Sequence, residues 1–129
     1  MDERYYKAMN DELKTKSKLP QSTGIMFIRW NYFNRIIVGV AYFEKGKMVF
    51  MKLDKDKMLK ICLDFLPKEV SYDFILDYPI AMKKQKISED AWNDMAIQQN
   101  GILEIHKTYP VASKLDKRRF NKYANIFLQ

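Results

Sequence analysis

The stretch that decides the fold runs from Gly24 to Lys52 and reads GIMFIRWNYFNRIIVGVAYFEKGKMVFMK. Seven aromatic and five basic residues share it with one acid, Glu44. Aromatic and β-branched residues favour strands, and Gly46 provides the positive φ of a tight hairpin turn. The stretch therefore predicts three antiparallel strands, at about Ile25 to Tyr32, Arg35 to Phe43 and Lys47 to Leu53.

The middle strand is apolar on both faces from Ile36 to Ala41. A strand of that pattern is buried on both sides, so we expect it in the centre of the sheet. Gly39 within it indicates a β-bulge or the close approach of another element.

Working outward, the sequence predicts four helices and two more strands. Three of the helices span residues 2–17, Asp54 to Leu66 and Ser88 to about Asn100. The fourth opens at a capping box that begins with Ser113, and it runs to about Leu128. The strands span Val70 to Tyr78 and Ile102 to Tyr109. The predicted class is α+β, a mainly antiparallel sheet of about five strands with helices on one face, in the order α-β-β-β-α-β-α-β-α.

The strand at Val70 is predicted from a clean alternation. Tyr72 and Phe74 are separated by Asp73, and the pattern continues to Tyr78, which gives one apolar and one acidic face. Pro79 is expected to end this strand.

Length and composition suit one domain over residues 1–129. The 47% hydrophobic content argues against disorder, and the longest charge-free run among the strands, Ile36 to Phe43, is too short to cross a bilayer. The opening Met1-Asp-Glu-Arg does not resemble a signal peptide, and Cys62 is the single cysteine. We therefore expect a cytoplasmic protein without membrane contact.

The net charge of +7 is unevenly distributed. Residues 21–53 carry five basic residues against one acid, and residues 101–129 carry six against two, whereas residues 54–79 carry four against six. Two basic segments thus flank an acidic one. If they meet in space, they form a positive face suited to phosphate or to an acidic protein surface.

Catalytic and metal-binding patterns are not found. His106 is the single histidine, and zinc needs about four Cys or His ligands. Asp73 and Asp77 would lie about 13 Å apart along an extended strand, too far to share one magnesium ion, and Asp54 is explained by helix capping. We expect no catalytic residue, no cofactor and no metal.

The candidate binding residues are basic and aromatic. The basic ones are Arg29, Arg35, Lys47, Lys52, Lys114, Lys117, Arg118, Arg119 and Lys122. The aromatic ones are Trp30, Tyr32 and Tyr42. Lys114, Arg118 and Lys122 recur at a spacing of four, which predicts one ridge on the last helix.

These features leave two functions open. The first is a small non-catalytic protein whose basic surface contacts single-stranded nucleic acid or RNA, with aromatic residues that stack on bases. The alternative is a protein-interaction module, such as an inhibitor or regulator of the mobile-element type that docks on a larger nucleic-acid-handling complex. A surface shaped for phosphate also suits a carboxylate-rich protein, so the sequence does not separate them.

Overall fold

The computed structural model describes residues 21–31, 33–69, 72–98 and 101–129. The strands are β1 (Gln21–Arg29), β2 (Arg35–Glu44), β3 (Lys47–Leu53), β4 (Leu103–Ile105) and β5 (Tyr109–Pro110). The helices are α1 (Lys55–Phe65), α2 (Tyr72–Gln85), α3 (Glu89–Gln98) and α4 (Lys117–Leu128). The helix predicted over residues 2–17 lies outside the described residues. None of these four helices is long and apolar enough to span a membrane.

The sheet is antiparallel and five-stranded, which confirms the predicted α+β class. Its order is β3-β2-β1-β4, and β5 pairs with the same edge of β1 as β4, nearer the start of β1. The predicted hairpin joins β2 to β3, with positive φ angles at Lys45 and Gly46. Two consecutive positive φ angles are typical of the tight turn that matches strand twist.

The central strand β2 carries the irregularity predicted at Gly39. Gly39 pairs with Met26 but the next pair is Phe27 with Ile37, so Val38 is an extra, bulged residue. A Cβ atom on Gly39 would lie 2.9 Å from the Leu53 side chain, so a close approach is present as well.

Helices cover both faces of the sheet, and the prediction of helices on one face is wrong. Residues from α1, α2 and α3 pack on the first face, against β2 residues that include Ala41 and Phe43. On the second face, α4 packs Phe120 and Ala124 against Val40 and Tyr42. Because β2 is apolar on both sides, each face needs its own covering layer.

The predicted strand from Val70 to Tyr78 is instead the helix α2, which continues through Pro79. Ile75, Pro79 and Met82 are buried at helical spacing. The sequence window fits both periods, and packing selects the helical one. A proline inside a helix costs about 3 kcal/mol, which burial of this face must offset.

The segment predicted as one strand from Ile102 to Tyr109 is interrupted between β4 and β5. The amide of Thr108 donates to Asn93 Oδ1 at 2.8 Å, and Trp92 Nε1 donates to the His106 carbonyl at 2.8 Å. The His106 amide still donates to the Ile25 carbonyl of β1 at 3.1 Å, so these bonds to α3 replace sheet pairing only beyond His106. The observed order of the described elements is therefore β-β-β-α-α-α-β-β-α.

Helix ends follow the capping chemistry, with one correction. Asp54 caps α1 and Ser88 caps α3, as predicted. However, α4 begins after Asp116, whose carboxylate accepts from the Arg119 amide at 2.8 Å, and not at Ser113. Asp116 is itself a strong N-cap residue, so the helix starts three residues later.

Candidate functional site

A groove runs along β3, the strand at one end of the sheet. Within the described ranges β3 pairs only with β2, and α2 and α4 contact it from opposite faces of the sheet. The groove has a volume of about 360 Å³. Its lining comprises residues 48–52 of β3 together with Lys83, Lys86, Lys117, Phe120 and Asn121.

Four lysines from three parts of the fold line this groove. Lys52 lies on β3, Lys83 in the last turn of α2, Lys86 just after α2, and Lys117 at the start of α4. The lining includes no carboxylate, and Lys83, Lys86 and Lys117 form no ion pair with any residue in the described part of the chain. The groove therefore concentrates positive charge that no carboxylate in its lining compensates.

The floor of the groove is apolar. Phe50 stacks on Phe120 with ring centroids 5.3 Å apart on the second face of the sheet, whereas Met48 and Met51 are buried in the core of the first face. Phe120 is buried and Phe50 is half-buried. A cationic rim around an apolar floor results.

Lys86 is held in a backbone conformation that lysine seldom adopts. Its φ is 49°, its amide donates to the Lys83 carbonyl at 3.2 Å, and the Ile87 amide donates to Met82 at 3.4 Å. This pattern ends helices and usually places glycine at the position with positive φ. The end of α2 thus sets the backbone conformation of Lys86.

The structure brings together two of the predicted basic residues, Lys52 and Lys117, one from each basic segment. Sequence reasoning missed Lys83 and Lys86, because the preceding residues were interpreted as a strand. The run Lys83-Lys84-Gln85-Lys86 was the available signal, since cations concentrate in the last turn of a helix.

Arg29 and Arg35 lie elsewhere, around Glu104 on the second face of the sheet. Arg29 Nε is 3.7 Å and Arg35 Nη1 is 3.5 Å from Glu104 carboxylate oxygens, and His106 Nε2 is 3.1 Å from the same carboxylate. The Arg35 guanidinium also lies over the Phe27 ring. Both arginines are thus partly neutralised and do not line the groove.

The remaining predicted cations are exposed but scattered. Lys47 begins β3, and Lys114 lies before α4 with its Nζ 4.0 Å from Glu44. The expected ridge is therefore not one helical face, because Lys114 precedes the helix. Arg118, Arg119 and Lys122 are exposed on α4, outside the groove lining.

The two aromatic candidates within the described residues, Trp30 and Tyr42, do not form an open stacking surface. Tyr42 is fully buried; its hydroxyl donates to Glu44 and accepts from the Leu115 amide, and burial raises its pKa. It cannot stack on a base. Trp30 is half-buried and stacks on Phe65, and Tyr32 lies outside the described residues.

The carboxylates are also candidate metal ligands. Among the described residues, no group of three His, Cys, Asp or Glu could hold a metal ion. Asp73 and Asp77 are nearer than the predicted 13 Å, since residues four apart on a helix have Cβ atoms about 5–6 Å apart. The predicted separation of this pair is therefore wrong, and no third ligand joins it among the described residues.

Comparison with known proteins assigns no family. No family model matches the chain, and no solved structure matches it. The DNA topoisomerase 2 of Leishmania chagasi is 29% identical in an alignment of 96 residues that covers 69% of this chain and 8% of that enzyme. The chain thus spans a small part of the relative's length, and the similarity assigns no activity to it.

Proposed function

We propose that the protein is a non-catalytic binding protein whose basic groove holds the phosphate backbone of single-stranded nucleic acid or RNA. The observation that carries this proposal is the convergence of Lys52, Lys83, Lys86 and Lys117 on one groove without a carboxylate. Four like charges in one groove repel one another, and a polyanion relieves that repulsion. Lysine suits the role because its ammonium contacts phosphate without a fixed geometry.

The apolar floor favours a single strand over a duplex. A single strand can turn its bases toward the half-buried Phe50 while its phosphates meet the lysines on the rim. A duplex keeps its base faces stacked inside and gains nothing from an apolar floor. The groove lining contains no carboxylate that could accept a hydrogen bond from a base. We therefore expect binding there to be independent of sequence.

A second candidate is an acidic protein segment, and it is favoured by the side of β3 that pairs with no strand among the described residues. An extended segment can add to a sheet edge through main-chain hydrogen bonds. The four lysines would then contact its carboxylates. Under this alternative the protein is an interaction module that acts as an inhibitor or regulator of a nucleic-acid-handling complex.

One experiment tests both candidates. Fluorescence anisotropy would measure binding of labelled single-stranded DNA, the matching duplex, RNA of the same sequence and a polyglutamate peptide, each at two salt concentrations. We expect single strands to bind more tightly than duplex, with affinity that falls steeply as salt rises. Binding of the peptide but of no nucleic acid would favour the second candidate.

A triple variant locates the contact. Replacing Lys83, Lys86 and Lys117 with Gln should lower the slope of log K against log salt by about 2, at about 0.7 per lost contact with a single strand. The matched control replaces Lys60, Lys68 and Lys107, exposed lysines outside the groove, and removes the same charge. An equal loss in both triple variants would mean that net charge, and not the groove, drives binding.

The non-catalytic part of the proposal is tested separately. Purified protein with magnesium or manganese should leave single-stranded DNA and RNA intact. Cleavage that disappears in Asp73→Ala or Asp77→Ala would contradict it and would make the acidic side of α2 an active site.

A further inference from the structure

A second cavity adjoins the groove beyond Lys52. It is open, has a volume of about 620 Å³, and lies between the end of β3, the first turn of α1 and the last turns of α4. Lys52 lines both the groove and this cavity. A strand that follows the groove therefore reaches the cavity without leaving the surface.

The charge of this cavity differs from that of the groove. Lys52 and Lys55 are balanced there by the carboxylates of Asp54 and Asp56. A phosphate would face two like charges, so a neutral polar group is the better occupant.

The hydrogen-bonding groups of the cavity are defined by their neighbours. Lys52 Nζ lies 2.6 Å from Asn125 Oδ1, and because lysine only donates, the Asn125 amide keeps its NH₂ group as a donor. Asp54 Oδ1 accepts from the Lys57 amide. Asp56 is exposed, and its carboxylate has no hydrogen bond to another described residue, so it remains an acceptor.

The geometry points to a nucleobase site that prefers a base with an exocyclic amino group beside a ring acceptor, as in cytosine. The amino group would donate to Asp56, and the ring acceptor would accept from Asn125. Uracil presents the reverse pattern, with a carbonyl oxygen in place of the amino group. This inference rests on the proposed function, because the groove must first position the strand; phosphate contacts position and base contacts specify.

Oligodeoxycytidine and oligodeoxyuridine of equal length test the inference, because the two bases differ at the amino position. We expect the wild-type protein to bind oligodeoxycytidine about fivefold more tightly, the low end of the range for a specific base contact. Asp56→Asn should bring the affinity ratio close to one. Asp64→Asn, an exposed change of the same kind farther along α1, should leave the ratio unchanged.

The outcomes separate this inference from the proposed function. Equal affinity of the wild-type protein for both oligonucleotides would overturn the base site and leave the groove standing. A ratio that survives Asp56→Asn would overturn its assignment to this cavity. Failure to bind either oligonucleotide would overturn both.

Discussion

Lys86→Gly separates a structural role of this lysine from a binding role, because the two roles predict opposite results. A positive φ costs a residue other than glycine about 1–2 kcal/mol, which glycine would recover. Glycine's greater freedom in the unfolded chain lowers the stability by about 0.5–1 kcal/mol. The loss of a cation beside the end of α2 lowers it further, by about 0.3–1 kcal/mol. These contributions nearly cancel, so the free energy of unfolding should stay within about 1 kcal/mol of the wild-type value.

Binding, in contrast, should weaken. The substitution removes one of the four groove cations, so the slope of log K against log salt for single-stranded DNA should fall by about 0.7. Lys86→Gln is the comparator, since it removes the same charge but keeps a side chain at the strained position. It should lose the same slope and gain no stability.

Thermal denaturation followed by circular dichroism measures the first effect, and anisotropy at several salt concentrations measures the second. A stability change of 1 kcal/mol corresponds to a shift in Tm of about 4 °C for a domain of this size. A clear fall in Tm with Lys86→Gly would show that the side chain packs structurally. A salt slope unchanged in both variants would refute a phosphate contact at Lys86.

Three further predictions concern the scaffold. Gly24→Ala would place a Cβ atom 2.5 Å from the buried Trp92 indole, so thermal denaturation should show a loss of about 1–3 kcal/mol or more, and an unchanged Tm would contradict the packing. Asp116→Ala should cost about 1 kcal/mol as a lost N-cap, whereas Ser113→Ala should stay within about 0.5 kcal/mol; the reverse ranking in urea denaturation would restore the capping box at Ser113. Burial raises the pKa of the Cys62 thiol, so iodoacetamide in mildly alkaline buffer should modify it only after unfolding, and rapid modification of the native protein would contradict its burial.

Local chemistry alone predicted several elements. The β2–β3 hairpin follows from glycine at a turn that needs positive φ, and α1 and α3 follow from Asp54 and Ser88 as caps. The bulge at Gly39 and the central position of β2 also follow from composition. In each case the residues that decide the structure are neighbours along the chain, so a linear pattern contains the necessary information.

The helix α2 shows where the linear pattern was insufficient. Residues 72–78 fit a two-residue period and a helical period equally, and Pro79 favoured the wrong one. Burial of Ile75, Pro79 and Met82 against distant parts of the chain selected the helix. Such a choice depends on partners that the window does not contain.

The candidate site was predictable only in part for the same reason. The sequence determined that two basic segments exist and that Lys52 and Lys117 belong to them. The tertiary structure decided that these lysines meet Lys83 and Lys86 beside β3, while Arg29 and Arg35 pair with Glu104 and Tyr42 is buried. Which charges remain uncompensated depends on how α2 and α4 pack on opposite faces of the sheet, and that packing joins residues far apart in the chain.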